Sequence, residues 1–354
     1  MRKHNLGAGP GVLPESALQK SAAAALDFNN IGMSILEISH RSKDFEQVLE
    51  NTTSLVKELL GVPDNYSILF LQGGASTQFA MVPMNLLHTK AAYVDSGVWA
   101  NKAIKEAKLF GEVNVVASSK DQNYSYIPKN YVIPTDCDYL HITSNNTIYG
   151  TQMSAFPTSP IPLICDMSSD IFSRPVDVSK FDLIYAGAQK NMGPAGVTLV
   201  IIKNDILKEV KRVVPTMMRY ATHIEGGSMY NTPPVFSIYV CMATLEWLKS
   251  IGGVSAIEKI NKQKAELFYN EVDTNPLFTG TCAVEDRSRM NACFLLKNPE
   301  LDEEFLKQAK AHGIIGIKGH RSVGGFRASM YNAAPLESVK ALTDLMKDFA
   351  LKTA

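Results

Sequence analysis

Two stretches of this 354-residue chain bring together residues that can do chemistry. In "DLIYAGAQKNMGPAG" an apolar run ends in small residues, and Lys190 follows, with glycines and a proline behind it. A lysine that is partly desolvated, or close to another cation, has a lowered pKa, and its free amine can then form a Schiff base with a carbonyl. The alternative is a surface lysine whose stem lies along apolar groups while its head stays in water. In "IKGHRSVGGFRASMYNAAP", His320, Arg321 and Arg327 fall within eight residues around Gly324 and Gly325. Guanidinium forks bind carboxylate and phosphate in bidentate fashion, so this segment suits a small polyanion. A solvated cationic loop is the other reading.

Three further pieces are weaker alone. In "ILFLQGGASTQFA" a strand runs into two glycines, Ser76 and Thr77, and then a helical pattern. Free N–H groups at a helix start attract an anion, and the two hydroxyls serve equally as donors or as helix caps. The loop is neither a Walker loop nor a G-x-G-x-x-G fingerprint. In "PLICDMSSD", Asp166 ends an apolar strand, where a carboxylate is a helix cap, an ion-pair partner or a catalytic group. His40 and Arg41 precede a helix in "ISHRSKDF".

These residues need a frame that brings them to one place. Seven strand candidates lie between about residues 66 and 202: "YSILFLQ", "AAYVDS", "EVNVVAS", "DYLHITS", "IPLICD", "FDLIYAG" and "VTLVIIK". Several are apolar at consecutive positions, as in strands covered on both faces. Helical patterns such as "DFEQVLENTTSLVKELLG" and "VWANKAIKEAKLFG" fill many of the gaps. The alternation predicts an α/β fold with a mostly parallel seven-stranded sheet wrapped by helices. That large domain is expected over 16–255. The long helix "GGVSAIEKINKQKAELFYNEVDTN" then leads into a smaller α+β C-terminal domain, 256–354, with segment 1–15 packing near it. In an open parallel sheet, ligands bind where the strands' carboxyl ends open, and Asp166 and Lys190 both fall there.

Composition narrows the class. Lys plus Arg and Asp plus Glu are 35 each, which argues against a nucleic-acid partner. The five scattered cysteines include no Cys-x-x-Cys pair and read as reduced thiols of a cytoplasmic protein, with no metal site expected. The basic N-terminus has glycines and prolines where a signal peptide needs an apolar run. No apolar stretch reaches the roughly 18–20 residues that span a bilayer.

The pieces in this order resemble the phosphoserine aminotransferase family, pyridoxal-phosphate enzymes of fold type I within the class-V aminotransferases. The resemblance covers essentially the whole chain, through "NLGAGPGVLP", "EISHRSKDF", "LQGGASTQF", "DSGVWANKA", "CDMSSDIFSRP", "AGAQKNMGPAG", "YNTPPVFSIY" and "GHRSVGGFRASMYNA". It implies that Lys190 carries pyridoxal 5'-phosphate covalently and shuttles the substrate proton, and that Asp166 pairs with the pyridine nitrogen. It implies that Trp99 stacks on the ring, that Thr147 sits beside the ring substituents, and that Ala75, Ser76 and Gln189 attend the phosphate. Asn231 and Thr232 would reach that phosphate from the other subunit of a homodimer. Arg327 would hold the substrate α-carboxylate, and His320 and Arg321 its distal anion, with His40 and Arg41 of the second subunit. Some members have an arginine at the position of Ser76, in a "GGGRGQF"-like loop. Here hydroxyls, backbone amides and a helix N-terminus take its place. The implied reaction is O-phospho-L-serine plus 2-oxoglutarate giving 3-phosphohydroxypyruvate plus glutamate, in serine biosynthesis, with 4-phosphohydroxythreonine of vitamin B6 biosynthesis as a second substrate. Another class-V enzyme, such as a small-substrate aminotransferase or a cysteine desulfurase, is the alternative. A desulfurase would need a reactive thiol at Cys282 or Cys293.

Overall fold

The computed structural model describes residues 2–208 and 211–353. All seven expected strands form, in one sheet. They are β1 (Tyr66–Leu71), β2 (Lys90–Asp95), β3 (Glu112–Ser118), β4 (Leu140–Thr143), β5 (Leu163–Asp166), β6 (Leu183–Gly187) and β7 (Thr198–Lys203). Their spatial order is 1-7-6-5-4-2-3. Strand β7 runs antiparallel to both neighbours and the other pairings are parallel.

Helices cover both faces of the central strands, which is why those are apolar at consecutive positions, whereas the edge strand β3 is largely exposed. Leu199 and Ile201 of β7 share a cluster with α1 (Glu15–Leu26), α2 (Lys43–Leu60) and a later helix, Val235–Ser250, while Val200 and Ile202 face α3 (Gly74–Leu86) and α4 (Val98–Ala107). Each buried branched side chain contributes about 1.5–3 kcal/mol. Local signals set the helix ends: Ser42 Oγ accepts from the Phe45 N–H at the start of α2, and Gly61 ends it in a left-handed conformation.

A separate apolar cluster lies around the antiparallel strands Phe278–Gly280, Asn291–Leu296 and Phe326–Ser329, packed by helices Asp302–Ala311 and Leu336–Thr353. Leu6 belongs to this cluster, and His4–Asn5 pairs in parallel with Ile314–Ile315. The long helix Gly253–Thr274 serves both cores: Ile257 packs with the large sheet, and Ala265, Phe268 and Val272 with the small one. No single helix among the described residues is long and apolar enough to cross a membrane.

This topology fixes where the chemistry can gather. The carboxyl ends of β1, β2, β4, β5 and β6 open on one edge. The "GGAST" turn, Trp99, Thr147, Asp166 and Lys190 all follow or end those strands, so they meet there.

Candidate active site

At that edge lies a cavity of about 420 Å³, lined by Gly73–Ser76, Trp99, Asp166, Ser168, Gln189 and Lys190 among others. Its floor begins at β1. Gly73 takes φ +90° and caps α3, and a Cβ there would lie 2.1 Å from Thr77 Oγ1. Only glycine fits this turn. It bares the first N–H groups of α3 toward the cavity, beside Ala75 and Ser76. Ser76 does not cap the helix, and Thr77 is occupied in donating to the Gly73 carbonyl (3.0 Å).

Strand β5 delivers Asp166. Its Oδ1 accepts from the Ser168 N–H (2.9 Å) and the Ser168 hydroxyl (2.6 Å), and that hydroxyl oxygen accepts from the Gly187 N–H (3.1 Å). Ser168 thus ties the carboxylate to the end of β6. Burial raises the Asp166 pKa, while the nearby Lys190 ammonium and the Ser168 hydrogen bonds oppose that. The buried carboxylate is therefore poised to gain from a cationic partner.

Lys190 follows β6 on a tight loop. Its Nζ donates to Thr147 Oγ1 at 2.8 Å and lies 5.3 Å from the centre of the Trp99 ring. Burial pushes its pKa down to about 8, with Asp166 acting upward and Arg327 downward. A snorkelling surface lysine would not show this. Thr147 is buried and has a second role, because its carbonyl accepts from Arg327 Nη1 (3.0 Å). One residue therefore holds both the amine and the guanidinium. Buried Arg327 Nε and Trp99 Nε1 find no partner among the described residues. A buried donor left unpaired is costly, so both are candidate ligand contacts.

Other expected residues lie apart. His320 is half-buried and pairs through Nδ1 with Ser322 Oγ (2.7 Å), and Arg321 is exposed. Burial, then Arg327, Arg321 and Lys102, hold the His320 pKa down, so these cations lie close together. His40 and Arg41 lie ahead of α2 and are not among the residues that line this cavity. Asn231 borders a different cavity of about 300 Å³ that also includes Gly73 and Thr77, and the Thr232 carbonyl accepts from Gln72 Nε2 (2.9 Å).

Sequence reasoning missed Ser168 and Lys102. The spacing Asp-x-Ser was a signal for the first, since short side chains bond the backbone two residues on. Lys102 stands three residues after Trp99 on α4, and its Nζ lies 4.6 Å from the ring centre.

The family model for class-V aminotransferases matches residues 4–342. The chain belongs to the class-V aminotransferases. Curated relatives at 54–61% identity are phosphoserine aminotransferases. This aminotransferase is 61% identical to the phosphoserine aminotransferase of Flavobacterium johnsoniae, over 98% of each chain. It is 57% identical to that of Phocaeicola vulgatus, over 99% of each. The solved phosphoserine aminotransferase of Bacillus circulans subsp. alkalophilus superposes with a TM-score of 0.97 at 47% identity, covering 100% of this chain and 99% of that one. A pyridoxal-phosphate-bound phosphoserine aminotransferase from Trichomonas vaginalis gives 0.94 at 39% identity, over 98% and 100%. The architecture is that of fold type I.

Proposed function

We propose that this aminotransferase moves the amino group between O-phospho-L-serine and 2-oxoglutarate, forming 3-phosphohydroxypyruvate and glutamate, in serine biosynthesis. The observation that carries the reading is the double use of Thr147, which sets Lys190 Nζ beside Arg327. Asp166 lines the same cavity as Lys190.

The residues fit pyridoxal phosphate. Gly73–Ser76 and the N-terminus of α3 suit its phosphate, Trp99 its ring face, Asp166 its ring nitrogen and Lys190 its aldehyde carbon, with Gln189 and Thr147 alongside. When bound, the cofactor supplies an electron sink for the carbon next to the substrate nitrogen. The chain's own groups do the rest. Arg327 binds the α-carboxylate through the donors that Thr147 leaves free, and so orients the substrate. Lys190 Nζ, with its lowered pKa, takes the proton from the α-carbon and returns it. The buried Asp166 carboxylate favours a protonated ring nitrogen. Among the thiols, burial pushes Cys282 up to about 11 and Cys293 up to about 12. A desulfurase nucleophile requires the opposite shift.

The same reading makes the enzyme a homodimer. His40, Arg41, Asn231 and Thr232 lie outside their own cavity, and Leu36, Met33 and Tyr230 beside them are exposed apolar side chains. They would complete the partner's site, with His320 and Arg321 at the substrate's distal anion. The division into 16–255 and 256–354, with 1–15 beside the second, is supported by the separate apolar clusters and by Leu6 in the smaller one. Five free cysteines support a cytoplasmic setting.

The test is a substrate panel with 2-oxoglutarate as acceptor: O-phosphoserine, 4-phosphohydroxythreonine, aspartate, alanine and cysteine. O-phosphoserine should give the highest kcat/KM. Faster turnover of alanine, or sulfide release from cysteine, would overturn the assignment.

A further inference from the structure

Lys264 lies on the helix Gly253–Thr274 with no solvent exposure (0%). Its Nζ donates into a cage of carbonyl oxygens: Tyr331 (2.7 Å), Met330 (3.0 Å), Ala334 (3.2 Å) and Asn332 (3.5 Å). Burial pushes its pKa down to about 7, whereas four carbonyl dipoles converging on one nitrogen favour the ammonium. Burying such a group is expensive unless its hydrogen bonds are met, and here they are met entirely by one turn.

That turn, residues 330–334, directly follows the strand that carries Arg327. It is also where three other segments meet. The Asn332 N–H donates to Asn191 Oδ1 (2.8 Å), the residue after Lys190. The Asn332 side chain donates to the Phe172 carbonyl (2.9 Å) and accepts from Asn261 Nδ2 (2.8 Å), on the same helix as Lys264. The Tyr331 hydroxyl donates to the Ala8 carbonyl (2.6 Å), and the Gly11 N–H donates to the Gln189 carbonyl (2.7 Å). A Cβ at Gly11 would lie 2.5 Å from the Lys190 carbonyl oxygen and 2.8 Å from the Tyr331 ring. The turn thus grips the Lys190 loop directly through Asn332 and indirectly through the N-terminal segment.

We propose that Lys264 is a positioning residue. It locks the 330–334 turn to the long helix and thereby sets the separation between Arg327, on the strand that leads into the turn, and Lys190, whose loop is held from the turn's middle. The inference rests on the roles proposed above for those two residues, and it adds the device that keeps them in register.

The test uses cofactor-loaded enzyme. Lys264→Met fills the same channel but cannot bond the carbonyls. Asn332→Ala keeps the backbone bond to Asn191 but removes the side-chain bonds that tie the turn to Asn261 on the long helix and to Phe172, without leaving a cavity the length of a lysine. For each, bound cofactor is counted by visible absorbance, and kinetics are expressed per loaded site. Affinity for a non-reacting dicarboxylate is read from the change in that absorbance. The expected result for Lys264→Met is near-normal cofactor content, dicarboxylate binding weakened at least tenfold, and KM for both amino donors raised more than kcat is lowered. Asn332→Ala should move the same quantities in the same direction. Loaded Lys264→Met with wild-type dicarboxylate affinity and KM would overturn the proposal, because a purely structural lysine changes stability and yield without changing the loaded site. If Lys264→Met fails to fold, Asn332→Ala decides by the same criteria. A wild type inert toward O-phosphoserine would instead sink the functional assignment, so the two failures are distinguishable.

Discussion

The lowered pKa of Lys190 yields a prediction that can be worked through from the site. Burial is its largest cause, and it brings the amine from 10.5 down to about 8. At pH 7 about one molecule in ten then carries the free amine, against about one in three thousand for a lysine in water. Cofactor-free enzyme should therefore condense with pyridoxal, which lacks the phosphate, about two to three orders of magnitude faster than a free lysine side chain of equal reactivity. The rate should rise with pH through a midpoint near 8 and level off above it. Two substitutions give the sign. The Asp166 carboxylate favours the ammonium, so Asp166→Asn should move the midpoint below that of the wild type. Arg327 disfavours it, so Arg327→Gln should move the midpoint upward. The assay is stopped-flow absorbance across the neutral and alkaline range. A wild-type midpoint near 10 would show that the cavity does not desolvate the amine. Shifts of the opposite sign in the two variants would show that the three groups are not neighbours in solution, and the reasoning would be wrong.

Other expectations follow from the same geometry. Borohydride reduction of loaded enzyme should fix the cofactor on Lys190, and Lys190→Ala should abolish both labelling and transamination while circular dichroism stays unchanged. Labelling at another lysine contradicts the assignment. Arg327→Ala should weaken binding of every amino acid by about 2–5 kcal/mol, read as KM or as inhibitor affinity, since the α-carboxylate is common to them all. Arg41→Ala should harm O-phosphoserine more than alanine, and equal losses would remove Arg41 from the distal-anion site. Gly73→Ala should lower cofactor affinity, measured by equilibrium dialysis, because the new Cβ has no room beside Thr77 and the residue's φ is strained. Unchanged affinity would mean that the α3 N-terminus does not hold the phosphate.

Much of the frame could be read in the sequence because its signals are local. A strand covered on both faces is an apolar run, which made the central strands legible, and all seven candidates form one sheet, the exposed edge strand β3 included. Helix ends were less legible. The pattern "VWANKAIKEAKLFG" stops being helical at Ala107, and Leu109 stands 73% exposed beyond it. Ser76 and Thr77 resembled helix caps, but Gly73 performs that function through its backbone conformation, which no side-chain pattern reports.

The site itself was legible only through resemblance, and its physics explains why. Lys190 Nζ is held by Thr147, 43 residues earlier, and Arg327 is held by the same Thr147 from 180 residues away. Asp166 is held by Ser168 against the end of a neighbouring strand. Periodicity tells which face of an element is buried, and says nothing about which side chains meet where several elements end. At the carboxyl edge of a parallel sheet, that meeting is set by strand order, here 1-7-6-5-4-2-3. Strand order places β5 beside β6, and so Asp166 within reach of Lys190's charge. The opposing shifts at these two residues, a carboxylate pushed up and an ammonium pushed down, come from the burial they share, and the adjacency of the two charges offsets only part of them. A ligand that offers a cation to Asp166 and takes the charge off Lys190 relieves both at once.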